Sequence, residues 1–281
     1  MENELTLQPK RFFYDTWLLK TAKYFEILKI SFLEEAVYPI NLATDGFVIF
    51  INIWIYFLLY QTGYELTGNS SINGLTVPMV IWILTLAKGL QESRITAPQI
   101  SESIQDGTFA YKISRPYSYI YFMFFRSFGQ TLPYLLANIA ISSIFCRIII
   151  GPLPISAISV LAGILLFMLG FLIDFYISMV IGLMALWIEK TDSIWWLYGK
   201  LKLTLGGVLI PIALLPDVLR KIAEYLPFSQ IFYTPVYTVF QFQPNTFFRY
   251  LAIECFWVLL LGVSAILIFR KGMKYVTSNG G

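Results

Sequence analysis

The residues of this sequence that could carry chemistry are a few ionisable side chains inside long apolar stretches. Asp174 and Arg126 each lie within such a stretch, and Lys200 and Lys202 lie near the start of another. Ionisable residues in membrane-spanning helices are costly and often functional. Asp174 and Arg126 could face the bundle interior, where they would pair or line a polar route. Alternatively, Arg126 extends to the headgroups and a neighbouring polar group satisfies Asp174. We expect Lys200 and Lys202 to extend to the headgroup layer.

Most catalytic constellations are excluded by residue type. The chain has no histidine, which rules out Ser-His-Asp triads and HExxH zinc sites. Its two cysteines, Cys146 and Cys255, cannot build a structural zinc site alone, and we expect both to be small core residues. Gly63 and Gly68 have the spacing of a phosphate-binding loop, but Asn69 replaces the lysine that such a loop needs. The sequence therefore predicts no catalytic site, metal or cofactor within this chain, which we do not expect to be an enzyme.

The composition is that of an integral membrane protein. Of the 281 residues, 57% are hydrophobic and 13% are charged, whereas soluble domains carry about 25% charged residues. The mean hydropathy is +0.68. The net charge of +3 and the lack of a basic cluster argue against nucleic-acid binding. We predict an all-α membrane protein that forms a single transmembrane domain over residues 1–281.

Hydropathy predicts six membrane-spanning helices. They lie at 44–61, 77–92, 119–146, 155–188, 195–215 and 250–270. The fourth stretch is long, and splitting it into two spans would invert the topology of everything after it. Gly206, Gly207 and Pro211 interrupt the fifth stretch. Such a break marks either a translocation route or a position of close packing or kinking.

Three further segments do not read as simple spans or loops. Residues 11–38 mix lysines and glutamates with aromatic and aliphatic residues, which predicts an interfacial helix that ends near Pro39. Residues 93–118 form a long polar loop that can contain a short helix between Thr96 and Gly107. Residues 216–249 are apolar and contain four prolines, which predicts short re-entrant or interfacial helices.

The distribution of basic residues predicts the orientation. With six spans, twelve of the 20 Lys and Arg residues fall on the side of the N-terminus, four fall on the opposite side and four lie within spans. Basic residues accumulate on the cytoplasmic side of membrane proteins. We therefore expect both termini, and the 93–118 loop, to be cytoplasmic.

Two short motifs carry a resemblance to a known family. The first is Ile104-Gln-Asp-Gly107-Thr-Phe-Ala-Tyr-Lys-Ile113-Ser-Arg115-Pro116-Tyr-Ser118, and the second runs from Leu226-Pro227-Phe228 to Thr234-Pro235. Together with the order of predicted elements, they resemble the membrane-spanning subunit of bacterial ABC-2-type exporters. Ile113 stands where that family often has leucine. The resemblance covers nearly the whole chain in topology, although its motifs are short.

The resemblance implies a mechanism in which this chain hydrolyses no ATP itself. A separate ATPase subunit would bind ATP and Mg, and a second permease subunit, identical or related, would complete the transporter in the bacterial plasma (inner) membrane. The 93–118 loop would be the coupling helix docked on the ATPase, and the 11–38 helix would be the connecting helix. The residues expected to couple the two subunits are Ile100, Glu102, Ile104, Asp106, Gly107 and Phe109. Those expected along a translocation route are Asp174, Gly206, Gly207 and Pro211.

Three other classes of protein stay open at this point. An ATP-independent transporter or channel would be expected to show more intramembrane charge or an inverted repeat. A membrane-embedded lipid-modifying enzyme usually clusters His, Asp or Glu at one face, and this chain has few such residues. A scaffold subunit that transports nothing would look similar. The sequence does not identify the substrate.

Overall fold

The structure is a computed structural model that describes residues 9–37, 39–68, 71, 74–90, 96–152, 155–188 and 190–279. These residues form twelve α-helices. They are α1 (Pro9–Ala36), α2 (Pro39–Thr67), α3 (Val77–Leu90), α4 (Thr96–Gln105), α5 (Thr108–Ile113), α6 (Tyr119–Ile149), α7 (Ala157–Leu183), α8 (Asp192–Leu205), α9 (Asp217–Tyr225), α10 (Pro227–Ile231), α11 (Tyr233–Phe240) and α12 (Pro244–Asn279). The prediction of an all-α protein is confirmed for this part of the chain.

Four of the described helices are long and apolar enough to cross a membrane. The qualifying segments are Gly46–Leu66 in α2, Tyr119–Ile149 in α6, Ala157–Leu186 in α7 and Pro244–Lys274 in α12. They match the first, third, fourth and sixth predicted spans. The long fourth stretch is one continuous helix, prolonged by a 3₁₀ turn at Met184–Leu186. The stretch is therefore one helix and not two.

The described helices at the second and fifth predicted spans are short. Both α3 and α8 have 14 residues, which at 1.5 Å per residue is about 21 Å, against an apolar thickness of about 30 Å. The fifth predicted span, 195–215, is interrupted at Gly206, as its two glycines and Pro211 led us to expect. There α8 ends, and a 3₁₀ turn at Ile212–Leu214 follows a non-helical stretch.

The helices pack in two groups. In the first, α6 packs against α1, α2 and α3; in the second, α7 packs against α4, α10, α11 and α12. The N-terminal helix α1 covers the predicted interfacial segment and lies side by side with α6. Tyr24 stacks on Phe125 with ring centroids 5.5 Å apart. A Cβ atom on Gly129 would lie 2.5 Å from the carbonyl oxygen of Leu28. The glycine thus allows the two helices to approach closely.

Three short helices, α9, α10 and α11, occupy the proline-rich segment before the last span. Pro216 precedes α9, Pro227 begins α10 and Pro244 begins α12. A proline at the first position of a helix costs little, because its missing N–H would have no intrahelical partner there. The prediction of short helices in this segment is confirmed.

Candidate functional site

The 93–118 loop folds as two helices, α4 and α5, around an exposed turn at Asp106 and Gly107. Gly107 has a φ angle of +76°, which ends α4 and starts α5. One carboxylate oxygen of Asp106 accepts hydrogen bonds from the backbone N–H of Thr108 at 2.8 Å and from its hydroxyl at 2.7 Å. These bonds stabilise the carboxylate and hold the pKa of Asp106 below its ordinary value. The predicted short helix between Thr96 and Gly107 is confirmed.

Helix α4 contacts three other helices. The hydroxyl of Thr96 donates to that of Ser127 on α6 at 2.9 Å. The hydroxyl of Thr191, the residue that precedes α8, donates to that of Ser101 at 2.9 Å. At Gly182 on α7, an added Cβ would lie 2.8 Å from both the carbonyl oxygen of Ala97 and the Cβ of Ile100. Helix α4 therefore touches α6, α7 and the start of α8 at once.

The six predicted coupling residues divide into buried and exposed groups. Ile100 and Phe109 are 0% and 3% exposed, and they pack with half-buried Ile104 against α6 and α7. We predicted these three among the residues that couple to the ATPase, but within this chain they pack the loop against the helices. Glu102, Asp106 and Gly107 are exposed. The surface that the loop offers to a partner is therefore polar, formed by the second group.

Asp174 lies at the centre of a buried polar cluster between α7 and α8. The ammonium of Lys202 forms an ion pair with one carboxylate oxygen of Asp174 at 3.1 Å, and both side chains are less than a tenth exposed. The hydroxyl of Tyr198 donates a short hydrogen bond to the same oxygen. Tyr198 and Lys202 are four residues apart on α8, so they lie on the same face of that helix. The Asp174 cluster consists of these three residues.

Aromatic rings surround the charged end of Lys202. Its ammonium lies 5.3 Å from the ring centroid of Tyr198, 5.4 Å from that of Phe232 and 5.9 Å from that of Trp195. Such cation–π contacts stabilise a desolvated cation. The expectation that Lys202 extends to the headgroups is therefore wrong. Lys200, in contrast, is exposed and lies over the ring of Trp196.

The predicted break at Gly206, Gly207 and Pro211 is present, and these three residues are buried, whereas Leu209 and Ile210 between them are exposed. Gly207 has a φ angle of +74°, which favours glycine. Tyrosine hydroxyls contact the freed backbone: Tyr56 donates to the carbonyl of Val208 at 3.1 Å, and Tyr233 accepts from the N–H of Ala213 at 3.2 Å. Non-helical backbone at membrane depth requires this kind of cover.

The structure thus brings the predicted route residues into one region but adds partners that we did not predict. Asp174 pairs with Lys202 and accepts a hydrogen bond from Tyr198, which corresponds to the alternative that neighbouring polar groups, rather than Arg126, satisfy it. Asp174 and the break are linked through α8, which carries Lys202 one turn before Gly206. The spacing of Tyr198 and Lys202 was the available signal, because both face the same side of a helix. Cys146 is buried as predicted, but Cys255 is exposed, so the core prediction fails for that residue.

The long apolar helices, the buried ion pair and the protein-covered break define a multi-pass helical membrane protein. Residues 47–280 match the profile of the family described as ABC-2 family transporter protein. The chain therefore belongs to the ABC-2 family of transporters, and the resemblance found in the sequence is confirmed. A comparison with curated proteins finds no match.

Proposed function

We propose that the chain is the membrane-spanning subunit of an ABC-2 exporter in the bacterial inner membrane, driven by ATP hydrolysis in a separate subunit. The partner ATPase would bind ATP and Mg, and this chain would perform no enzymatic step. A second permease subunit, identical or related, would complete the route. The observation that carries the proposal is the position of α4, which contacts α6, α7 and the start of α8 while exposing a polar turn.

The exposed turn offers a suitable docking surface for an ATPase. Glu102 and Asp106 present carboxylates, and Arg115 lies over the ring of Tyr111, 4.6 Å from its centroid. A hydrogen bond that the Arg115 guanidinium donates to the Tyr111 hydroxyl raises the pKa of Arg115 above its ordinary value. This mixture of charges gives a partner both attractive and repulsive groups to recognise.

Contacts behind the turn provide a path from α4 to the Asp174 cluster. The hydrogen bond between Thr191 and Ser101 joins α4 to the first residue before α8. Helix α8 then carries Tyr198 and Lys202 to Asp174. A displacement of α4 by the ATPase would therefore shift α8, and with it the buried ion pair and the break that follows α8.

Contacts at both ends of α7 support six membrane crossings with cytoplasmic termini. Near the start of α7, the indole N–H of Trp82 on α3 donates to the carbonyl of Gly151 at 3.2 Å. Near its other end, Ala97 lies against Gly182. Between Trp82 and Ala97 the chain thus passes from one end of α7 towards the other. This supports α3 as a short crossing helix.

Affinity purification of the tagged chain from its native membrane tests the proposal. We expect an ATPase with a phosphate-binding loop to copurify in a fixed ratio. The double variant Glu102→Lys, Asp106→Lys should reduce the recovered ATPase, because it reverses two charges on the exposed turn. The matched control is Lys221→Glu, an exposed charge reversal on α9. Recovery of the permease without any ATPase, with substrate transport that needs no ATP, would favour an ATP-independent transporter and contradict the proposal.

A further inference from the structure

An apolar cavity lies between the two groups of helices. It has a volume of about 360 Å³ and is bordered by α3, α6, α7 and α11. Its walls include Leu86, Ile139, Phe167 and Val236, and among the described lining residues only Ser143 has a hydroxyl group. An apolar cavity of roughly 150 Å³ stays dry and takes up benzene. This larger cavity is therefore suited to a longer hydrocarbon.

Ring contacts join α6 to α7 at some distance from the cavity. Phe124 and Phe128 of α6 contact Phe171 of α7 edge to face, with centroids 5.9 Å and 5.2 Å apart. The cavity-lining residue Ile139 follows Phe128 by eleven positions, or about 16 Å along the helix. At that distance from the ring contacts, α11 rather than α6 packs against α7. The Cβ that Gly163 lacks would lie 3.0 Å from the carbonyl oxygen of Pro235.

The rim of the cavity joins the outer, apolar surface of α7. Val160 and Ile164 line the cavity and are 37% and 52% exposed, and their neighbours Leu161 and Leu165 are also exposed. This part of α7 belongs to a helix long enough to cross the membrane. The phase outside the rim is then the hydrocarbon of the bilayer. An occupant can enter from that phase without passing a polar group.

We propose that this cavity binds one hydrocarbon chain of a membrane lipid. A lipid headgroup would find one hydroxyl and no charge among the lining side chains, so its desolvation would be uncompensated. A helix from a second copy is about 10 Å wide with its side chains, which is much broader than one acyl chain. A single acyl chain is slender enough, and each methylene that it buries contributes favourably.

Photo-crosslinking tests the assignment without nucleotide and without an ATPase, so its result is independent of the proposed coupling. The full-length chain would be reconstituted in nanodiscs that contain phosphatidylethanolamine with a diazirine in one acyl chain. We expect lipid adducts to concentrate on peptides that contain Ser143 and Val160–Phe167. Each of two cavity-filling variants, Ser143→Phe and Val160→Phe, should lower adduct formation at these peptides several-fold.

The matched control introduces a phenylalanine on the lipid-facing surface away from the cavity. Leu259 on α12 is 69% exposed and does not line the cavity, so Leu259→Phe should leave the adducts at the cavity unchanged. Thermal unfolding of all variants checks that they are folded. Adducts spread evenly over the exposed helices, or unchanged by both filling variants, would overturn the proposal. So would crosslinks from the cavity peptides to a second copy of the chain.

Discussion

At the scale of single residues, the Asp174 cluster is the feature with the clearest energetic consequences. Two charges have been removed from solvent, and the cost is offset by their ion pair, by the Tyr198 hydroxyl and by the rings around Lys202. Buried ion pairs contribute little net stability, but removing one partner leaves a charge uncompensated. The cluster is therefore more sensitive to single substitutions than to paired ones.

We expect Asp174→Leu or Lys202→Met alone to destabilise the protein by about 3–5 kcal/mol. The double variant should be less destabilised than either single variant, because it removes both charges of the ion pair. Thermal unfolding in detergent, followed by size-exclusion chromatography, measures this. Lys200→Met is the control, since Lys200 is exposed two positions from Lys202. If the double variant loses as much stability as the two single variants combined, the ion pair is not the source of the effect.

The sequence located one half of this cluster and not the other. Asp174 stands out because it is a carboxylate inside a long apolar helix. Lys202 does not, because a lysine near the start of an apolar stretch can equally well extend to the headgroups. The choice between these states depends on whether a partner and aromatic rings are present at the same depth. Those come from α7 and Phe232, which lie far away in sequence.

At the scale of elements, the contact between α4 and α7 depends on a glycine. A methyl group at Gly182 would meet Ala97 and Ile100 at 2.8 Å, closer than real side chains pack. We expect Gly182→Ala to push α4 away from α7 and to lower the unfolding temperature. Gly199→Ala is the matched control, because nothing lies within 4 Å of a Cβ there. It should be neutral or stabilising by about 0.5–1 kcal/mol, since alanine favours a helix.

The displacement of α4 expected in the Gly182→Ala variant can also be measured as a rate of disulfide formation between α4 and the start of α8. Cysteines at Ser101 and Thr191, whose hydroxyls are 2.9 Å apart, should form a disulfide readily in the parent protein and more slowly in the Gly182→Ala variant. An unchanged rate of disulfide formation together with an unchanged unfolding temperature would show that α4 does not depend on this close approach.

Helix α9 has three distinct sides, which suggests where it lies. Ala223 is buried against the protein, and Glu224 pairs with Arg249 of α12 at 3.3 Å. A second side exposes Asp217 and Lys221. The third side exposes only apolar residues, namely Val218, Leu219, Ile222 and Tyr225. This division fits a helix that contacts protein, water and lipid at the membrane surface.

Brominated lipids can test this position of α9. Their brominated acyl chains quench the fluorescence of nearby tryptophans. We therefore expect the Ile222→Trp variant to gain more quenching, relative to the parent protein, than the Lys221→Trp variant does. The two positions are adjacent in sequence and point to the apolar and polar sides of one helix. Equal changes in quenching would contradict a membrane-surface location for α9.

The positions of the helices could be predicted from the sequence where hydropathy alone determines them. The four long helices follow from apolar runs that satisfy their own backbone hydrogen bonds. The end of α8 at Gly206 does not follow from hydropathy, because apolar residues continue to Leu215. The two glycines and Pro211 indicated a break there, but not which residues would cover it. The chain can leave the helix there because tyrosine hydroxyls from α2 and α11 bond its backbone. No local pattern encodes those long-range bonds.

At the scale of the whole molecule, the open question is whether the short helices α3 and α8 cross the membrane. If both cross, the α4–α5 loop is cytoplasmic and the α6–α7 turn is external. If neither crosses, these two segments exchange sides, while α9 stays external. Contacts of α3 and α4 with opposite ends of α7 favour crossing. We therefore expect six crossings, although only four of the described helices meet the length criterion.

Single cysteines in a background without Cys146 and Cys255 test this topology. A membrane-impermeant maleimide applied to intact cells should label Ser156→Cys and Lys221→Cys but not Tyr111→Cys, because the last lies on the predicted cytoplasmic loop. All three positions are exposed, so labelling after cell lysis should reach each of them. Lys221 is external in both arrangements and calibrates the reagent. Labelling of Tyr111→Cys but not Ser156→Cys in intact cells would mean that neither short helix crosses. The turn at Asp106 would then face away from the cytoplasm, and an ATPase could not dock there.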